Sequence, residues 1–171
     1  GTDIEKNLFR TFIGWAWDKL FRTSFIREKG LKFAELRTSN DLSFVFAGIA
    51  AADRINVLDD QPLAHHRRYP GSISRNRDEN WRCYYDALKE LRENLERLGL
   101  YQRFERDFIN YALYFSIWQM TSIGSEGYRK IFGKLNEEWL DNLGIAGKGE
   151  GYFYDPAEYE LLTQIRQNDP D

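Results

Sequence analysis

The chain has 171 residues, 16% of them aromatic, and a formal net charge of −3 with acidic and basic residues mixed along its length. That length holds one domain with a real core or two very small ones, and the acidic balance argues against a nucleic-acid partner, which needs a basic field to displace counterions from phosphates. The single cysteine, Cys83, excludes an internal disulfide and fits a reducing compartment.

The N-terminus, GTDIEKNLFR, is polar and has no signal-peptide core. The longest apolar run, residues 44–52, falls short of the ~20 residues that a spanning helix needs. These features predict a cytoplasmic protein, with the inner face of the cell membrane as a second place to dock. Met120 is the only methionine, so the chain does not open on an initiator residue, and we expect it to have begun as something longer.

Before Asp78 the pattern is mixed. WAWDKLF, residues 15–21, reads as a short buried strand or turn, with one of Trp15 and Trp17 in the core and the other lining a pocket. RTSFIREKG reads as one or two helical turns closed by Gly30. TSNDLSFVFAGIAAAD reads as a helix capped by Ser39 or Asn40, with Leu42, Val45, Phe46 and Ile49 on one face. RINVLDD alternates at Ile55 and Val57 and predicts a strand; QPLAHHRRY, opening on Pro62, predicts another; PGSIS is a loop.

After Asp78 the pattern is helical. A helix beginning at Asp78 carries Trp81, Tyr84, Leu88, Leu91, Leu95 and Leu98, and stops at Gly99. A second carries Phe104, Phe108, Tyr111, Phe115 and Trp118. A third, capped by Ser125, carries Ile131, Phe132, Leu135, Trp139 and Leu143 before Gly144. Asp155, Pro156 and Glu158 form the N-terminal signature of a fourth, which runs to about Gln167. The fold class expected is therefore α+β and mostly helical: a few strands in residues 1–77, then a helical subdomain over residues 78–171.

No GxSxG, P-loop, GxGxxG or HExxH motif is present. His65 and His66 are adjacent, and on a strand they would point to opposite faces, so they cannot hold one metal together. Arg67, Arg68, Arg75 and Arg77 form a local basic run that could clamp a phosphate or simply face solvent. Asn40 and Asp41 sit at a helix start. The plain reading of Asp41 is a capping acid; the functional one is a fixed carboxylate that takes a proton from a hydroxyl in a transition state.

These pieces, read in order, resemble the acceptor half of family 2 glycosyltransferases that build bacterial surface polysaccharides. Such enzymes carry a stretch like W-x-K-L-[YF]-[RK], an [IL]-x-F segment, an acidic pair in E-D-x-x-F, an L-x-x-[YH]-[YH]-R strand and S-I-[ST]. This chain has Trp17-Asp18-Lys19-Leu20-Phe21-Arg22, Leu31-Lys32-Phe33, Asn40-Asp41-Leu42-Ser43-Phe44, residues 63–67, and Ser72-Ile73-Ser74. The resemblance covers residues 8–78 and leaves the helical tail outside it.

The resemblance implies the C-terminal part of a GT-A fold. It also implies a nucleoside diphosphate sugar and a divalent metal (Mg or Mn) bound through an Asp-x-Asp motif elsewhere in the full-length enzyme. No cofactor is expected in this chain itself. Asp41 aligns with the catalytic base, which deprotonates the acceptor hydroxyl during an inverting transfer. Trp17, Lys19, Asn40, His66 and Arg67 are the substrate-side positions: Lys19 to fix the site's backbone or a phosphate, His66 and Arg67 to face the donor diphosphate. Position 40 departs from the pattern, because an Asn stands where the family has a Glu. The expected partners are a nucleotide sugar and a saccharide acceptor, with a homodimer left open. The competing expectation is a non-catalytic helical module that docks on a protein or on the membrane surface.

Overall fold

In the computed structural model residues 7–58, 64, 65, 67 and 77–167 are described, and among them every regular element is helical. In chain order these are α1 (Leu8–Thr11), α2 (Thr23–Lys29), α3 (Leu42–Ala51), α4 (Cys83–Arg97), α5 (Tyr101–Thr121) and α6 (Ser125–Lys134). A π-helical turn (Leu135–Trp139) runs into α7 (Leu140–Asn142); a 3-10 turn (Glu150–Tyr152) precedes α8 (Pro156–Gln167).

The expected α+β class is therefore corrected: the described residues form an all-helical fold. Of the two readings of residues 15–21, strand or turn, the structure forms the turn, with a bend at 16 and a turn at 17–18, and residues 54–58 belong to no element. The reason is physical. A strand exists through the partner that pairs its N–H and C=O groups. The alternation at Ile55 and Val57 marks a half-apolar stretch with no such partner among the described residues: Ile55 packs against the core, while Val57 is 74% exposed. Of the strand expected from Pro62, only residues 64, 65 and 67 are described, and none is in a strand. Pro62 itself and the PGSIS loop lie outside the described residues.

The core is one cluster drawn from both ends of the chain, from Leu8 and Phe9 through α3, α4 and α5 to Leu162 and Ile165 of α8. α3 packs mainly on α4, and α4 on α5. α3 was expected to bury one face, but every residue from Leu42 to Ala50 is buried, as suits an apolar helix surrounded by others. The stripes of α4 and α5 face the core as their spacing predicts, except that Trp118 stays 38% exposed under the guanidinium of Arg77.

Three helix starts differ from expectation. α4 begins at Cys83 rather than Asp78. The Asp78 carboxylate instead accepts the N–H of Gly127, in the first turn of α6. That helix is entered from Gly124, and Ser125 makes no side-chain cap. Likewise α3 is entered from Asp41, after Ser39 at φ 58°, and neither Ser39 nor Asn40 caps it. Free N–H groups at a helix start need an acceptor, and here a distant carboxylate supplies one at α6. In α8 the Asp155 side chain does bind the Ala157 N–H, at 3.0 Å, but Glu158 turns away to pair with Arg10. The third expected helix is broken by the π-helical turn, which brings Trp139 flat against Tyr85 at 4.1 Å.

Two glycines of α6 test this packing in opposite directions. A Cβ on Gly127 would meet Ile123 Cγ1 at 2.6 Å and Asp78 Oδ1 at 2.8 Å, whereas one on Gly133 would meet nothing within 4 Å. Gly127→Ala is expected to cost about 1–3 kcal/mol through overpacking. Gly133→Ala is expected to raise stability by about 0.4–1 kcal/mol by restricting the unfolded chain. Urea unfolding of the two variants checks both signs.

Candidate functional site

The site is built from the loop after α1 and the start of α3. The loop folds on itself: the Lys19 N–H donates to Ala16 O at 3.2 Å, and the Lys19 ammonium donates to Trp15 O at 3.0 Å and to Asp18 Oδ1 at 2.6 Å. This closure brings the Trp15 and Trp17 rings together, stacked with centroids 5.2 Å apart. Both indoles are surface groups, 41% and 49% exposed, so neither is the core residue that alternation suggested. A strand would also have put residues two apart on one face; here the turn stacks the two rings together at the surface.

The loop is fixed to α3 at two points. Gly14 lies so close to the Phe46 ring that a Cβ there would sit 3.3 Å from it. The Ala16 N–H donates to Asp41 Oδ2 at 3.3 Å. Asp41 thus stands at the entry of α3 without capping it through its side chain. It uses an oxygen to hold the tryptophan loop.

Burial pushes the Asp41 carboxyl above the ordinary carboxylate range. Bonds from its own and the Ala16 backbone N–H, and the Lys19 charge, pull the other way, while Asp18 adds to the rise. The helix start therefore does not dominate this group; loss of water does. Tyr111, on α5, is buried, and its hydroxyl is held well above the usual tyrosine range, first by burial and then by Tyr114 and Asp41. The result is a half-buried carboxyl that is more basic than usual, beside two surface indoles and one ammonium.

Of the positions singled out in the sequence, the structure brings Trp17, Lys19 and Asp41 into this neighbourhood. Asn40 is exposed beside it and uses its carbonyl to accept the Ala34 N–H at 2.9 Å. Arg67 is exposed. His66 lies outside the described residues. Sequence reasoning missed Tyr111 as a neighbour of Asp41, because its place in the α5 stripe marks it only as core. It also missed Asp107 and Asn110, one turn apart and buried in α5; two polar residues inside an apolar stripe were the available signal.

Among the described residues no three His, Cys, Asp or Glu side chains gather as a metal would require. Asp18 and Asp41 share their surroundings with the Lys19 ammonium, a poor setting for a cation. Among the described residues no helix is long and apolar enough to cross a membrane. Compared with known protein families, curated proteins and solved structures, the chain matches none.

Proposed function

We propose that this chain carries the acceptor side of a glycosyltransferase and that Asp41 is its general base. The observation that supports this reading best is the Ala16–Asp41 bond. It sets a carboxyl of raised basicity beside Trp17 and Lys19, the positions at which the sequence resembles family 2 glycosyltransferases. In the reaction, the acceptor hydroxyl oxygen attacks the anomeric carbon of a nucleoside diphosphate sugar from the face opposite the leaving diphosphate. Asp41 takes the hydroxyl proton as the new bond forms, and configuration inverts. The indole pair offers apolar surface for the C–H face of the acceptor ring, and Lys19 keeps the loop closed. Donor and divalent metal belong, on this reading, to a part of the enzyme beyond these residues. The same reading carries a cytoplasmic location.

The chain alone tests the acceptor half of the idea. Titration with a panel of oligosaccharides, followed by tryptophan fluorescence, should reveal a saccharide that binds. Trp17→Ala should then raise its Kd by about two- to tenfold, the equivalent of an aromatic contact of ~0.5–1.5 kcal/mol. A panel that leaves the fluorescence unchanged sinks the acceptor role. A second reading, a non-catalytic docking module, is favoured by Leu20, which is 93% exposed on the same loop. It predicts no saccharide response.

A further inference from the structure

We propose that Asp107, Tyr154 and Glu158 position the Asp41 carboxyl from across the fold, by holding α1 and through it the loop whose Ala16 N–H binds Asp41. The catalytic meaning of this link rests on the function proposed above; the mechanical link does not.

α1 has only four residues and is entered from Asn7 at φ 60°. A helix this short is not stable by itself, so its place is set by what grips it. Its two leading N–H groups, of Asn7 and Leu8, donate to the two oxygens of Asp107 at 3.0 and 2.9 Å. That carboxylate is 4% exposed and takes a third bond, from the Tyr154 hydroxyl at 2.5 Å. Asn110 accepts the Tyr154 N–H at 2.6 Å, and Arg106 donates to the carbonyls of Gly151 and Tyr152. The C-terminal strap of residues 150–167 is thus tied to α5 where α5 caps α1. The strap also reaches α1 directly, because Glu158 accepts from Arg10 at 2.8 Å. Arg10 lies in turn over the Tyr114 ring, at 4.3 Å.

From α1 the constraint passes to the site through packed rings. Phe9 is 1% exposed and meets Phe46 of α3 edge-on at 5.2 Å. The same Phe46 ring is the surface on which Gly14 rests. Ala16 follows two positions later and delivers its N–H to Asp41. Between strap and carboxyl there is little slack: a short helix held at both ends, a glycine pressed on a ring, and one hydrogen bond. The charged and titratable groups that act on Asp41 are Lys19 and Asp18 from its loop and Tyr111 from α5. None of them belongs to the strap, so the strap acts on Asp41 only through the loop. Loosening the loop removes a bond that favours the ionised carboxyl, and the Asp41 titration should move up.

The test uses the whole chain, carbon-13 labelled. The Asp41 carboxyl titration is followed by NMR, and the Trp15–Trp17 stack by near-ultraviolet circular dichroism. Tyr154→Phe removes one hydroxyl and Glu158→Gln one charge. Each should raise the Asp41 midpoint by roughly half a pH unit, the size expected for one weakened hydrogen bond, and should flatten the indole signal. Arg10→Gln should do the same, and Arg10→Lys should restore the wild-type midpoint. Ile131→Val, a core change in α6, lowers stability without removing any of the bonds named above and should leave both signals in place. If Tyr154→Phe and Glu158→Gln lower the melting temperature yet leave the Asp41 midpoint where Ile131→Val leaves it, the strap is a structural support and the inference is overturned. If the midpoint moves as expected but Asp41→Asn transfers sugar normally, the positioning stands and only the catalytic role of Asp41 fails.

Discussion

Replacing Asp41 by asparagine is expected, on the function proposed above, to lower sugar transfer by about 10²–10⁴-fold, the usual contribution of a positioned general base, in a protein that joins this chain to a nucleotide-sugar site. The amide oxygen can still accept the Ala16 N–H, so the loop should keep its place. Stability separates this outcome from a merely structural role. The folded-state pKa of Asp41 is raised, so folding favours the protonated form. Stability from this group is therefore full at low pH and is lost as pH rises from the ordinary value of 3.8 through the raised one. At neutral pH the wild type carries a partly buried charge that the asparagine variant lacks. Asp41→Asn should thus melt no earlier than wild type at pH 7, and any advantage should shrink as the pH is lowered. The acid limb of the rate profile should also lie above the ordinary carboxylate range. Asn40→Ala should change transfer much less, because that side chain is exposed and an amide takes no proton. An Asp41→Asn protein that melts early and keeps its turnover would return the residue to a structural part.

Phe108→Ala should be the most damaging single truncation in α5. The ring is 0% exposed, packs edge-on against Tyr101 at 5.8 Å and belongs to the continuous core. Its removal leaves a cavity that close-packed helices cannot fill, at a cost of about 3–5 kcal/mol. For a chain of this size each kcal/mol lowers the melting temperature by about 2–4 °C, so scanning calorimetry should show a drop on the order of 10 °C. Leu91→Ala in α4, also 0% exposed, should cost about 2–5 kcal/mol. A change below about 0.5 kcal/mol at either position would mean that the stripe faces solvent.

The helical tail was legible in the sequence because its information is local. Tyr84, Leu88, Leu91 and Leu95 recur at the helical period and are all buried. Gly30, Gly99 and Gly144 sit where each segment ends, all at positive φ, where a side chain is strained. What was not legible is what the chain does at a distance. Alternation at Ile55 and Val57 cannot say whether a pairing strand exists. Ser125 looks like a cap until Asp78, 49 residues before Gly127, supplies the bond. The π-helical turn that places Trp139 against Tyr85 leaves no mark in an apolar stripe that continues through it. The site divides in the same way. Trp17, Lys19 and Asp41 emerged from short motifs in sequence order, but the Ala16 N–H and Tyr111 reach Asp41 only through the turn of a loop and the register of α5.

The capping of α1 by Asp107 also fixes an order of events during synthesis. The N–H groups of Asn7 and Leu8 meet their acceptor 100 and 99 residues further along the chain. Ribosomes add about 5–20 residues per second, so roughly 5–20 s pass before the partner of this first helix has even been made. During that time Leu8 and Phe9 are apolar groups without a core. α1 is thus made well before the carboxylate that holds it, and it is among the last parts of this fold to settle.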